Sequence, residues 1–334
     1  MKISQSILIF CAFVFGCGIT AFLMQRSQQA VPDVLEAPAL VEDDSKSEMP
    51  APVQSATEQP SLSIDEAQVK LDETLIGIEG NLKRALDLSV DLGRNNYEDR
   101  FLAITRLRED LSDAEVTALA QFLYVPYSEQ QGLSLLEFNA LKNEVMGKLV
   151  SLGSDRVDAA SVFSSMARSK DLDDLIRDYS IQFSYHLYEE SLLEQEDVPY
   201  DRTLADMALN ERETTLAGTA LLGEVRLSEA NPGSFPSEKV ASTAWSLLND
   251  PQTLEVNRVS AMTSLTRLGD NRVLPKAREA LAGSNYSVMT IAALGSIREF
   301  GDTLSIPEVR RIAASTNPSV SRAARFTLKH LESL

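Results

Sequence analysis

The sequence predicts an all-α chain built from stacked helix pairs. Three observations predict it. A 32-residue unit recurs almost three times between Val256 and Leu331 in fixed register and without a gap. Within each unit the apolar residues fall three or four apart, which is the spacing of one helical face. Aromatic residues make up only 6% of the chain while Ala and Leu are common, a composition suited to helices with close backbone approach. No stretch shows the alternating, β-branched pattern of a strand.

The register can be followed residue by residue. Val256, Ala261, Ser264, Leu265, Leu268 and Gly269-Asp270 recur as Val288, Ala293, Ser296, Ile297, Phe300 and Gly301-Asp302. Pro275, Arg278, Ala282 and Ala292 recur as Pro307, Arg310, Ala314 and Ala324. Each unit reads as two helices. Val288, Ile291, Ala292, Leu294, Ile297 and Phe300 form the apolar face of the first. Gly301 ends it, because glycine adopts the left-handed backbone of a helix end without a Cβ clash. Pro307 opens the second helix, where its missing N–H has no intrahelical partner. Ile306, Val309, Ile312 and Ala313 form that helix's buried face, and Asn317-Pro318 breaks to the next unit.

The run Val288-x-x-x-Ala292-Ala293-Leu294-Gly295-x-Ile297-x-x-Phe300-Gly301-Asp302 resembles the first helix of HEAT repeats. The variant it is most similar to is the short one named after phycobilisome lyases. Arg258 and Arg322 follow that pattern and Thr290 departs from it. The resemblance covers residues 254–331, about a quarter of the chain. It implies a right-handed α-solenoid and a protein-binding scaffold. The lyase activity of the namesakes does not transfer, since the motif is one of packing and holds no catalytic residue.

Upstream of the repeats, residues 1–26 read as a membrane anchor or signal segment. Residues 7–24 are uncharged and mostly apolar, flanked by Lys2 and Arg26, and are long enough to span a bilayer with little to spare. An uncleaved anchor, a cleaved signal and a lipid-modified Cys17 are all compatible with them. Each places the bulk of the chain outside the cytoplasm, because positive charge favours an N-terminus inside. The expectation is a bacterial inner-membrane protein with a periplasmic C-terminal part, or a periplasmic protein after cleavage. Cys11 and Cys17, the only cysteines, both lie in this segment, so no disulfide framework is expected. Residues 27–62, with five prolines and an acidic run, read as a disordered linker.

Residues 63–253 read as divergent acidic helices. Ser63-x-x-Glu66 and Ser112-x-x-Glu115 are capping boxes. The first helix is expected to run through Val69, Leu71, Leu75, Ile78, Leu82 and Leu86. Asn96 is expected to cap a helix with Phe101, Ile104 and Leu107. Further helices are expected at 135–152, ending at Gly153-Ser154-Asp155, and at 157–167, 172–192, 211–227 and 240–248. Trp245 is expected to fill core beneath the 228–236 loop.

Charge separates these regions. Residues 63–253 carry −18, the linker −6, the N-terminal segment +2 and residues 254–334 +4, within a total of −18. Arg278, Arg310 and Arg311 sit on the second helices of the regular repeats. They read either as a solvated face with local partners such as Glu279 and Glu308, or as a docking strip for an acidic protein segment. Tyr185 and Tyr188 leave the helical stripe Ile176, Tyr179, Phe183, Leu187 and are the other candidate partner-binding residues. Nucleic acid is not expected on so acidic a chain.

Catalytic and metal motifs are lacking. His186 and His330 are the only histidines, and no zinc, phosphate-loop, nucleophile-elbow or EF-hand pattern occurs. No catalytic residue, cofactor or metal is assigned. The expected function is a non-catalytic scaffold or adaptor, tethered through residues 7–24, that binds a protein partner in the envelope. A carboxylate-using enzyme or accessory subunit acting on an envelope glycan, and a self-assembling structural protein, are the alternative readings.

Overall fold

A computed structural model describes residues 64–78, 80–87, 97–129, 132–152, 159–193, 203–284 and 286–334. The segment 7–24 with both cysteines, the linker 27–62, the Ser63 and Asn96 caps, the Gly153–Asp155 stop and the acids at 194–201 lie outside the described residues. Among the described residues there are fifteen α-helices and no strand. None of these helices is long and apolar enough to cross a membrane.

The helices are α1 (Ile64–Thr74), α2 (Asn81–Leu86), α3 (Tyr97–Thr105), α4 (Asp113–Tyr124) and α5 (Leu135–Ser151). Then come α6 (Ala159–Arg168), α7 (Asp174–Leu193), α8 (Thr203–Asn210), α9 (Leu216–Ala230) and α10 (Ser237–Asn249). The regular repeats supply α11 (Glu255–Arg267), α12 (Leu274–Gly283), α13 (Ser287–Glu299), α14 (Ile306–Ile312) and α15 (Pro318–Leu331).

Local chemistry sets the ends of these helices. Ser112 and Glu115 form a reciprocal capping box at α4, and Ser134 and Glu137 form a second at α5. In both, the bonds from the serine hold the glutamate carboxyl below its usual range. Gly269 and Gly301 end α11 and α13 with φ of 74° and 61°. The amides that follow them reach back to Leu265 O and Ile297 O, the wrap that satisfies the last free carbonyls of a helix. A single 3₁₀ turn then leads into each second helix, at Asn271–Val273 and Thr303–Ser305.

Three expectations need correction. The first expected helix is two, because Gly77 and Gly80 take φ of 82° and 78°, which stops α1 and starts α2 in a new direction. The helix expected from Glu211 begins at Leu216, since residues 211–215 form the turn that α11 caps, as described below. Helix α8, missed in the sequence, fills the position before it.

Every second helix packs on the next. From α3 the row runs through α5, α7, α9, α11 and α13 to α15. The intervening helices pair with their neighbours along the row: α8 on α9, α10 on α11, α12 on α13 and α14 on α15. All belong to one compact unit, Gln59–Leu334. Its apolar interior forms two clusters, one from Leu71 to Ile176 and one from Ala167 to Leu331. Helix α7 serves both. Ile176, Tyr179, Phe183 and Leu187 face the first cluster, and Ile181, Tyr185 and Tyr188 face the second. The change of net charge near residue 253 falls inside the second cluster.

Polar side chains cross between successive pairs inside this packing. Arg177, 4% exposed, donates to Ala167 O and reaches Asp174 at 2.9 Å and Glu211 at 2.6 Å. Asn257 is fully buried. Its Oδ1 accepts from Gly218 N–H, and its Nδ2 donates to Arg212 O at 3.0 Å and Thr214 O at 2.7 Å. Thus a side chain of α11 satisfies the entry turn of α9. Trp245 Nε1 donates to Asp270 at 2.8 Å, and Arg278 makes a bidentate pair with Asp302 at 2.8 and 2.7 Å. Trp245 is therefore a half-buried tie from α10 to the end of its partner α11, and Phe235 is the aromatic that closes the 228–236 loop.

Asn257→Ala would leave the Gly218 N–H and Thr214 O without their partner and Arg212 O with only the Leu254 N–H, and is expected to cost about 1–3 kcal/mol in denaturant unfolding. A Cβ on Gly218 would lie 2.7 Å from Asn257 Oδ1. Gly218→Ala is therefore expected to destabilise by roughly 1–3 kcal/mol. Gly295→Ala meets open space in mid-helix and is expected to stabilise by about 0.5–1 kcal/mol in the same assay.

Candidate functional site

A groove of about 580 Å³, open to solvent, lies between the α10–α11 and α12–α13 pairs. The end of α10 supplies Leu248, the first two turns of α11 supply Glu255, Arg258 and Met262, and α12 supplies Lys276, Glu279 and Ala280. The short link from Gly283 and Ser284 to Tyr286 closes one end, with Met289 from α13. Gly283, the last residue of α12, leaves part of the groove wall without a side chain. A Cβ built on Gly283 meets nothing within 4 Å. Ser284 then folds over the start of α13, its hydroxyl accepting from Tyr286 N–H at 3.1 Å.

Met262 (1% exposed) and Met289 (5%) form an apolar floor. The rim is charged but internally paired. Arg258 bonds Glu255, and Lys276 lies 3.3 Å from Glu279. The Arg258 Nε–H is buried without a hydrogen-bond partner. Tyr286 stands at the mouth, its phenol pushed up in pKa by burial and then by the Glu255 charge. Polarizable methionines beneath a tyrosine suit an apolar side chain of an incoming segment.

None of the partner-binding residues expected from sequence lines this groove. Arg278 is committed to Asp302, whose carboxyl also accepts from Ser305 and is held low mainly by the arginine. Arg310 pairs with Glu332 at 2.7 Å, and Arg311 pairs with Glu308 through two 3.0 Å bonds from Nε. The Glu308 pairing matches the local-partner expectation, whereas Glu279 serves Lys276. Arg278 and Arg310 each tie a second helix to the end of the first helix packed on it, as Trp245 does.

Tyr188 must be corrected outright. It is 4% exposed, with its hydroxyl 3.4 Å from the Ser164 hydroxyl, so it belongs to the core. The reason is that α7 has neighbours on two sides, so the face opposite its first apolar stripe is covered too. Tyr185 is half-buried against Gly223, with the Arg226 guanidinium 5.5 Å from its ring centre. His186 beside it is pushed down to about 4 by burial and by Arg226, so it is neutral at pH 7.

No group of three or more His, Cys, Asp or Glu able to hold a metal occurs among the described residues. At the acidic start of α7, Asp173 caps the helix by accepting from Leu175 N–H and also accepts from Asn139. The groove was missed in the sequence because its residues come from four helices. Only the Gly283-Ser284 link hinted at a side-chain gap there. Comparison of the chain with protein-family models, curated proteins and solved structures finds no match.

One perturbed base lies away from the groove. Lys142 on α5 is 2% exposed, donates to Val125 O at 2.5 Å and sits 4.9 Å from the Phe138 ring centre. Burial lowers its pKa to about 7 against the opposing pull of Asp173. A lowered pKa means that the unfolded chain binds the extra proton between pH 7 and 10.5, so native stability rises with pH across that window. Relative to Lys142→Met, the wild type is expected to gain on the order of 2 kcal/mol between pH 7 and 9.5, measured by urea unfolding at each pH. A stability difference independent of pH would show that Lys142 titrates normally.

Proposed function

We propose that the protein is a non-catalytic scaffold or adaptor of the cell envelope, tethered through residues 7–24, that binds another protein along an α-solenoid surface of HEAT-like repeats. The observation that carries this reading is the groove at α10–α13. It is open, has a methionine floor and a tyrosine at its mouth, and its charges are neutralised in pairs. Such a surface can seat an apolar side chain of a partner segment while the charged rim selects its neighbours. The row of α3 to α15 supports the solenoid reading, because each helix pair contacts chiefly the pairs before and after it. The glycan-enzyme alternative needs two facing carboxylates in different environments, and the groove's Glu255 and Glu279 are each held by a cation instead.

A photocrosslinking residue at Tyr286, in the full-length protein in its native membrane, is expected to capture one dominant envelope protein. Gly283→Trp fills the groove from a position with open space above it. That variant is expected to keep stability within about 0.5 kcal/mol of wild type and to reduce capture several-fold. Capture that persists in the Trp variant would move the binding surface elsewhere. No reproducible protein adduct at all would remove support for the scaffold reading.

A further inference from the structure

The surplus positive charge of residues 254–334 is not spread along the repeats. Of the eleven Lys and Arg in this stretch, seven have carboxylate partners: Arg258, Arg267, Arg272, Lys276, Arg278, Arg310 and Arg311. Arg298 stacks over the Phe326 ring at 4.9 Å. Arg322, Arg325 and Lys329 have no ion pair among the described residues. They lie with Phe326 at i, i+3, i+4 and i+7 on the exposed side of α15, opposite the buried Val320, Ala324, Thr327 and Leu331. Phe326 is 60% exposed. Among the described residues no helix covers this face, which carries a basic and aromatic stripe.

The first described helix carries the opposite stripe. Val69, Asp72 and Glu73 on α1 and Ile76 in the turn after it follow the same i, i+3, i+4, i+7 spacing and are exposed. Val69 is 56% and Ile76 80% exposed, above the buried Leu71 and Leu75. Helices α1 and α15 thus leave large apolar side chains in water beside charges of opposite sign. An anionic surface would attract α15 but would repel a chain of net charge −18. A second copy supplies both the acidic stripe and the apolar area that α15 lacks.

We infer that the protein associates head to tail, the α15 face of one copy docking on the α1 face of the next. Such a contact joins two different patches, so it propagates as a ring or an open chain and does not close as a two-fold dimer. It is separate from the groove, and none of its residues lines that cavity.

Sedimentation velocity on the full chain, in a nonionic detergent where the 7–24 segment requires one, tests the inference. Wild type is expected to form species larger than monomer at about 50 mM salt and to dissociate at about 500 mM, where screening is short-ranged. Arg325→Glu and Glu73→Arg change exposed positions and are each expected to weaken association roughly tenfold or more. An equimolar mixture of the two offers one native and one charge-swapped contact and is expected to recover species larger than monomer that neither variant forms alone. The double variant Arg325→Glu/Glu73→Arg, with the pair swapped, is expected to self-associate again, which also shows that the reversals fold. A wild type that stays monomeric at low salt up to about 100 µM overturns the inference. So does a mixture that fails to pair. If the monomeric wild type instead binds anionic vesicles and Arg325→Glu abolishes that binding, α15 is a lipid-facing surface and the head-to-tail contact is wrong.

Discussion

The arrangement depends on buried polar links between one helix pair and the next, and Asn257 is the fullest case. The turn that leads into α9 and the first turn of α9 aim two carbonyls and the Gly218 amide at Asn257, which is itself fully buried. An unsatisfied buried backbone group costs as much as a lost hydrogen bond or more. One asparagine on α11 meets all three, so α9 and α11 are held at a single register. Gly218 is the counterpart of that choice, since any Cβ there would collide with the asparagine. Arg177 does the same work at the junction of the two cores, joining the end of α6, the start of α7 and Glu211. Apolar contact between helices of Ala and Leu tolerates sliding. These links do not.

The same principle changes how the charges are understood. In sequence, Arg278 and Arg310 occupy equivalent positions 32 residues apart and look like a repeated binding strip. In three dimensions each is a strap to the end of the following first helix, at Asp302 and Glu332. Trp245 makes the corresponding link one repeat earlier, to Asp270, which Arg272 pulls down to about 2. Once these pairs are taken out, the Lys and Arg that remain in residues 254–334 are Arg322, Arg325 and Lys329 on α15 and the stacked Arg298. Charge that looks distributed along a sequence is concentrated at one face.

The proposed binding and the inferred self-association rest on two surfaces of different kinds. The groove at α10–α13 is internally neutral and apolar at its base, which suits recognition by shape and by one anchored side chain. The terminal stripes are exposed and charged, which suits weak, salt-sensitive contacts. Perturbed ionisable groups such as Lys142, Asp178 and His186 lie in helix packing, where burial is the largest cause of each shift. Their positions away from the groove accord with structural roles.

By itself the sequence determined the helical class, the 32-residue register, the glycine stops at 269 and 301, the Ser112 capping box and the charge separation along the chain. These are properties of neighbouring residues, set by backbone sterics, helical periodicity and short side-chain bonds. Only the tertiary structure decided the rest. It split the first expected helix at Gly77 and Gly80, whose left-handed backbone has no signature that separates a break from a tolerated helical glycine. It buried Tyr188, because a helix between two cores has no outer face where one periodicity would place it. It placed the groove at Gly283, because a cavity depends on what four separate helices fail to fill. Packing partners distant in sequence set burial, and burial decides which polar side chains are ties and which remain free to meet another molecule.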